Sequence, residues 1–306
     1  MSNTAQDPGI GQKYAEVSTR VINKDGTFNV KREGVDGGLK SLYQLLVDLN
    51  FFKFSVTIVA LYVLINVVFA FGFYSNGVEY LSGRTTQGVW DEFLKCFFFS
   101  FQTFTTVGYG AISPMGSAAN ILSAAVALAG SMYFALVTGL IYGRFSKPKA
   151  RLIFSENLLI APYKNGKALM FRLANRRKNV LMQMKAEVLL VMKDGVGKDS
   201  KRTFFNLNLE INRIQFMPLS WTVVHPIDKE SPIANCSIEE MKKRGAEVLI
   251  LVSGFDDTFN QDVHSRYSYT ASEFIDDAKF KPAFDVNVAG AVEIDIQDIH
   301  KFEKVQ

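Results

Sequence analysis

The run Thr105-Thr106-Val107-Gly108-Tyr109-Gly110 carries its chemistry in the backbone rather than in its side chains. Gly108 and Gly110 can enter backbone regions closed to residues with a Cβ, so successive carbonyls can be turned to one side. Four such loops facing one axis would stack rings of carbonyl oxygens that replace the water around a dehydrated cation. Thr106 would add a hydroxyl at the inner end, while Val107 and Tyr109 would turn outward and wedge the loop open against the helix before it. Gly-Tyr-Gly by itself is common and reads as a tight turn; the six-residue run in its surroundings is far more specific.

Those surroundings must hold the loop at membrane depth. Phe54 to Tyr74 contains no ionisable group other than tyrosine, with Asn66 its most polar member, and its 21 residues would cover about 32 Å as a helix. Ser117 to Gly143 is also uncharged and would reach about 40 Å, more than the hydrocarbon core requires. The alternative for each is a buried core helix of a soluble protein. Between them, Trp90-Asp91-Glu92 opens a Phe-dense stretch to Phe104 that is too short to span. A short helix that enters and returns as extended chain is tolerated only where protein or water covers its backbone. Asp91 and Glu92 suit its positive N-terminal end, and its C-terminal dipole would favour a cation.

Flanking cations set the orientation. Lys31, Arg32, Lys40 and Lys53 precede the first span, and Arg144, Lys147, Lys149 and Arg151 follow the second, whereas the intervening loop holds only Arg84 and Lys95. Both termini are therefore expected in the cytoplasm. No apolar stretch near Met1 suggests a cleavable signal peptide. The 48% hydrophobic content averages an apolar first half with an ordinary, charged second half, and the net charge of +4 gathers at the membrane boundary rather than on a nucleic-acid motif. Cys96 and Cys236 fall on different sides of that boundary and are not expected to pair.

Before the first span, Leu39, Leu42, Tyr43, Leu45, Leu46 and Leu49 recur at helical spacing, which predicts an amphipathic helix over 39–50 lying along the inner membrane surface. A soluble helix packed on the C-terminal domain is the alternative. Residues 1–38 read as a flexible N-terminus. From Ala150 onward, β-branched and aromatic runs between turn residues predict strands at 152–154, 168–173, 186–192, 203–209, 221–225, 247–252, 265–270 and 292–296, most simply a two-sheet sandwich. Asn165-Gly166 signals a hairpin turn with positive φ at both positions, and Ser237 with Glu240 a capping box.

Taken together, the chain resembles the inward-rectifier potassium channels, and among them the prokaryotic KirBac type. The resemblance rests on the filter run and on cytoplasmic signatures: Lys147-Pro148-Lys149-Ala150-Arg151, Phe171 to Arg177, Thr222 to Pro232 and Ser265 to Tyr269. It covers about Leu39 to Phe302 and implies two membrane helices with a re-entrant pore helix and an interfacial slide helix, followed by a C-terminal all-β immunoglobulin-like sandwich. The expected divisions are the N-terminus 1–38, the slide helix 39–50, the pore domain 51–146 (outer helix 53–75, pore helix 90–104, filter 105–110, inner helix 117–144) and the cytoplasmic domain 147–306. The implied assembly is a homotetramer in a bacterial inner membrane.

By position, the resemblance makes the carbonyls of Thr106, Val107, Gly108, Tyr109 and Gly110 the K⁺ sites, with K⁺ the permeant ion and no cofactor. Gly130 becomes the hinge of the inner helix and Tyr142 its bundle-crossing gate, with Phe134 between them. Gly254 to Val263, with Gly254, Phe255 and Gln261, becomes an apex loop around a cytoplasmic pore. Arg144, Lys147, Lys149 and Arg151 fall where the family binds anionic phosphoinositide head groups; bare topology is their other reading. Ba²⁺ and Mg²⁺ are the implied blockers.

Some positions depart from the family. Phe134 stands where strong rectifiers place an acid, Gln102 replaces the common pore-helix acid, Ile112 offers no basic partner behind the filter, and Ala111 follows the filter where Asp is usual. The outer loop also lacks the cysteine pair of eukaryotic members. Filter rigidity is therefore expected to come from elsewhere. His225, His264 and His300 are too scattered for a metal site, and Asp228, Glu230, Asp256, Asp257 and Asp262 either line a vestibule or are solvated loop charge. A passive K⁺ channel without catalytic residues is the expectation, opening by parting of the inner helices at Tyr142. The contrasting reading is a non-conducting membrane-tethered sensor with a vestigial pore.

Overall fold

A computed structural model describes residues 4–5, 7–11, 20–31, 33–34, 39–83, 87–146, 150–194, 201–286, 289–290 and 292–305. The chain forms two units, residues 33–147 and residues 1–32 with 148–306.

The first unit is helical: α1 Leu39–Asp48, α2 Phe51–Asn76, α3 Val89–Phe104 and α4 Gly116–Phe145. Each boundary lies within two residues of its expected position. The largest difference has a local cause, since Asn50 leaves the helical region and its side chain accepts the Lys53 N–H at 2.8 Å, ending α1 and starting α2. Helices α2 and α4 are long and apolar enough to cross a membrane, whereas the 16 residues of α3 reach only about 24 Å. An aromatic cluster holds the three together. Phe73 meets Phe99 edge-on at 4.9 Å, and Tyr62 meets Phe101 and Phe104 at 5.3 and 5.4 Å. A buried polar pair joins α2 to α3: Ser100 Oγ donates to Asn66 Oδ1 at 3.0 Å, and Asn66 Nδ2 donates to Tyr62 O at 2.9 Å. Each amide group of Asn66 thus finds a partner inside the protein.

The second unit is a sandwich. One sheet orders β1 Thr4–Ala5 with β6 Arg202–Asn206, then the long β5 Leu181–Lys193, β9 Glu247–Asp256 and β10 Gln261–Thr270, with β7 Arg213–Met217 also on β5. The other contains β2 Leu152–Phe154, β3 Leu158–Tyr163, the central β4 Gly166–Asn175, β8 Ser220–Ile227 and the parallel strand β11 Phe274–Asp276. Alternation explains the packing: along β8, Trp221, Val223 and His225 point inward while their neighbours are partly exposed. Leu169, Phe171, Leu190, Ile250 and Tyr269 fill the space between the sheets. Two small pairs, β12 Ala278–Phe280 with β15 Phe302–Lys304 and β13 Phe284–Val286 with β14 Val292–Ile294, complete the unit. The one α-helix among the described residues of this unit, α5 Ile238–Lys243, is capped by Ser237, whose hydroxyl accepts the Glu240 N–H at 3.2 Å.

Three expectations are corrected. The turn between β3 and β4 has Lys164 and Asn165 at its centre, and Lys164 alone takes positive φ (51°), because Tyr163 pairs with Gly166 and draws the glycine into the strand. Strand pairing between β9 and β10 continues to Asp256 and Gln261, so Gly254, Phe255 and Gln261 belong to a hairpin and only residues 257–260 form its tip. Residues 20–30 are not a loose leader. Val21 is 0% exposed and packs with Ile22 on Val191, Phe204 and Leu249; the buried Glu247 carboxylate accepts both Val21 N–H and Ile22 N–H, and Arg20 and Lys24 pair with Glu273. Local polarity hid this docking, which depends on residues far along the chain, from Val191 to Glu273.

Candidate functional site

The filter run follows directly from the end of α3. Gln102 O accepts Val107 N–H at 2.9 Å and Gly108 N–H at 3.2 Å, so the carbonyl at the end of the helix seats the start of the run. Thr106, Gly108 and Gly110 take φ of 59°, 54° and 78°, alternating with Val107 and Tyr109. A backbone that alternates between left-handed and ordinary conformations turns its carbonyls toward one side. The glycines could be anticipated from sequence. Thr106 could not: a β-branched residue in the left-handed region is a strained position of the kind that gathers at functional sites.

Tyr109 is 82% exposed on the single chain, and Val107 is exposed too. Within one chain the expected wedge against the pore helix is therefore not made; any packing for Tyr109 must come from outside the chain. Gln102 is buried beneath the run.

Along α4, Gly130 lies against the last residue of α3, close enough that an added Cβ would sit 2.9 Å from the Phe104 carbonyl carbon. Beside it, Tyr133 is anchored to α2 through a 2.7 Å hydrogen bond to Ile58 O. Phe134 is exposed on its far side, with its ring 6.5 Å from that of Phe104. Tyr142 is 73% exposed, and so are Ile141 and Phe145 around it. Exposed apolar side chains in this density are met by lipid or by further protein.

The cations divide. Arg144 donates to Val47 O at 3.0 Å and stacks over the Phe54 ring at 5.3 Å, so it satisfies one of the open C-terminal carbonyls of α1. Arg151 is exposed, and its carbonyl accepts the Arg176 N–H at 2.9 Å. Lys147 and Lys149 lie outside the described residues.

At the β9–β10 hairpin tip, Asp256 is 1% exposed, which removes it from the candidate vestibule acids. Its Oδ1 accepts from Asn179 Nδ2 at 2.8 Å and from the Thr258 and Phe259 N–H groups at 3.1 and 3.3 Å, and Arg177 reaches Oδ2 at 3.4 Å. Arg177 also lies over the Phe259 ring at 5.0 Å. Gly254 in the same hairpin faces Met184, where β5 bulges and Gln183 takes positive φ. His225 is buried with both nitrogens engaged, Nδ1 with Asn208 O at 2.6 Å and Nε2 with Ser231 Oγ at 2.9 Å, and burial pushes its pKa down. Among the described residues, no group of three His, Cys, Asp or Glu side chains could hold a metal ion.

Comparison with known proteins agrees with this geometry over both units. Residues 152–306 match the model of the inward rectifier potassium channel C-terminal domain, and residues 57–147 match that of the ion channel family. The chain is 32% identical over 295 residues to the inward rectifier potassium channel Kirbac3.1 of Paramagnetospirillum magnetotacticum, covering 95% of this chain and 98% of that one. It is 25% identical to the human ATP-sensitive inward rectifier potassium channel 10, with 99% of this chain and 84% of that one aligned. It is also 25% identical to the mouse G protein-activated inward rectifier potassium channel 4, over 92% and 72%. These relatives are ion channels and not enzymes. With two helices long and apolar enough to cross a membrane and a β-sandwich whose residues 152–306 match the C-terminal domain of that family, the chain belongs to the inward-rectifier potassium channel family.

Proposed function

We propose that four copies of the chain form a pore in a bacterial inner membrane, with both termini in the cytoplasm, and conduct K⁺ passively through the carbonyls of Thr106 to Gly110. The observation that carries this reading is the alternation of positive φ at Thr106, Gly108 and Gly110 on a loop whose Val107 and Tyr109 are exposed in one chain. Such a loop has little use alone and a clear one in a ring. Opening occurs where the inner helices cross at Tyr142, with Gly130 and Phe134 above it, and the hairpin tip near Gly254, Phe255 and Gln261 forms a second constriction. Anionic, phosphoinositide-like lipid acts through Arg144, Lys147, Lys149 and Arg151.

Purified full-length protein in liposomes tests the reading. Ba²⁺-sensitive K⁺ flux with selectivity over Na⁺ is expected, and Gly108→Ala should abolish that selectivity. Retained selectivity in Gly108→Ala would remove the filter assignment, and no flux from a folded tetramer would turn the assignment toward a sensor.

A further inference from the structure

The outer end of the filter is tied to the loop that follows α2. Leu81 and Pro114 form an isolated antiparallel bridge, flanked by Ser82 N–H to Ser113 O at 2.8 Å and Met115 N–H to Tyr80 O at 2.7 Å. Side chains join the same two segments: Ser82 Oγ accepts the Ser113 N–H at 2.8 Å and shares a hydrogen bond with Ser113 Oγ at 2.6 Å. From behind, Lys95 on α3 donates to Leu81 O at 2.8 Å, and the Leu81 side chain is buried in the helical core. Next along the loop, Gly83 takes φ of 102° and passes so near Ala111 that a Cβ would lie 2.5 Å from its carbonyl oxygen. Ala111 directly follows Gly110. A clasp therefore grips the chain within three residues of the filter, in a protein whose Gln102 and Ile112 supply no acid and base behind it.

We propose that Ser82, held in place through Leu81 by Lys95, is a positioning residue that fixes the outer mouth of the filter and so sets its ion selectivity. The inference rests on the reading of Thr106 to Gly110 as a K⁺ filter. Ser82 Oγ serves two groups of Ser113, and Ser113 Oγ serves one of Ser82. Removing the hydroxyl of Ser82 therefore loses both side-chain bonds, and removing that of Ser113 loses one already included in the first. Lys95 acts by a separate bond and should add to either.

The test is the K⁺-to-Na⁺ flux ratio of full-length protein in liposomes, with assembly checked by size exclusion. Ser82→Ala and the double variant Ser82→Ala/Ser113→Ala should lower the ratio equally, by roughly five- to tenfold for two modest hydrogen bonds. Ser113→Ala should lower it by roughly two- to threefold, with Ser113→Thr restoring it. Lys95→Met should lower the ratio further in the Ser82→Ala background. An unchanged ratio in assembled Ser82→Ala, or independent effects that multiply in the double variant, would overturn the proposal. Should Ser82→Ala fail to assemble, an unchanged ratio in Ser113→Ala does the same. Unselective flux through the unmodified protein would instead overturn the filter reading itself.

Discussion

Gly130 of α4 and Phe104 of α3 are in backbone contact: a Cβ at residue 130 would overlap the Phe104 carbonyl oxygen and lie 3.1 Å from its Cα. This crossing sets the inner helix against the residue just before the filter run. Glycine inside a helix costs about 1 kcal/mol relative to alanine, and here the close approach offsets that cost. The position the resemblance marks as a hinge is thus also a packing requirement.

Gly130→Ala is expected to destabilise the helical unit by about 1–3 kcal/mol, the range for overpacking a tight contact. Gly139, which has open space around its missing Cβ within the chain, is the matched control. Thermal unfolding in detergent should show a lowered midpoint for Gly130→Ala and little change for Gly139→Ala. Equal midpoints would mean that α3 and α4 can separate at no cost.

Asn66 and Ser100 hold α2 and α3 together by a hydrogen bond away from water. Such bonds between membrane helices are worth about 0.6 kcal/mol on average. A double-mutant cycle with Asn66→Ala and Ser100→Ala should return a coupling of that order, whereas strictly additive losses would show the pair to be incidental.

Arg144 ties α1 to the end of α4 by bonding Val47 O and covering the Phe54 ring. Arg144→Gln should cost about 1–2 kcal/mol through loss of both contacts. Its flux should change even in liposomes of zwitterionic lipid alone. A change confined to vesicles with anionic lipid would mean that Arg144 acts through the head groups alone and that its contacts with Val47 and Phe54 do not govern opening. Arg144→Lys should be intermediate, since an ammonium keeps the hydrogen bond but not the planar stack.

Asp256 fixes the β9–β10 tip with bonds from Asn179, Thr258, Phe259 and Arg177. Asp256→Ala should cost about 3 kcal/mol and expose residues 257–260 to protease, while Asp256→Asn keeps one oxygen acceptor and should lose about half as much. Equal protease resistance in all three proteins would show that the tip is held by the strands alone.

His225 supplies the pH dependence. Burial lowers its pKa below the usual 6.5, opposed by hydrogen bonding to Asn208 and by the charge of Asp228. The unfolded state therefore binds the proton more readily, and stability is full above about pH 6.5 and declines as pH falls through the lowered value. Thermal midpoints of the full chain should drop as the pH is lowered from 6.5. His225→Gln should flatten that part of the profile, and an unaltered slope in the variant would assign it to other groups.

Much of this arrangement is local and so was legible in the residues. The α2 and α4 spans follow from uncharged length, the end of α3 from its fixed distance to the filter, and the β8 core face from strict alternation. The Ser82–Ser113 clasp was not legible, because two serines 31 residues apart carry no periodic signal and meet only once α3 has folded between them. Nor was the docking of Val21 against Glu247, a pairing across 226 positions whose carboxylate looks like any surface acid in sequence.

By itself, the sequence determined the Thr105–Gly110 motif, the two spans, the sandwich class and the family, since each depends on composition, period or a contiguous motif. Tertiary structure alone decided how those parts are held. It showed that Thr106 shares the left-handed backbone of its glycine neighbours, that Gly130 is demanded by Phe104, that Asp256 is buried rather than facing a vestibule, and that Arg144 satisfies a carbonyl at the end of α1. For the last three the physical reason is the same. A missing Cβ or a hydrogen-bond partner is fixed by what approaches from distant parts of the chain, and that approach exists only after the helices and sheets have packed.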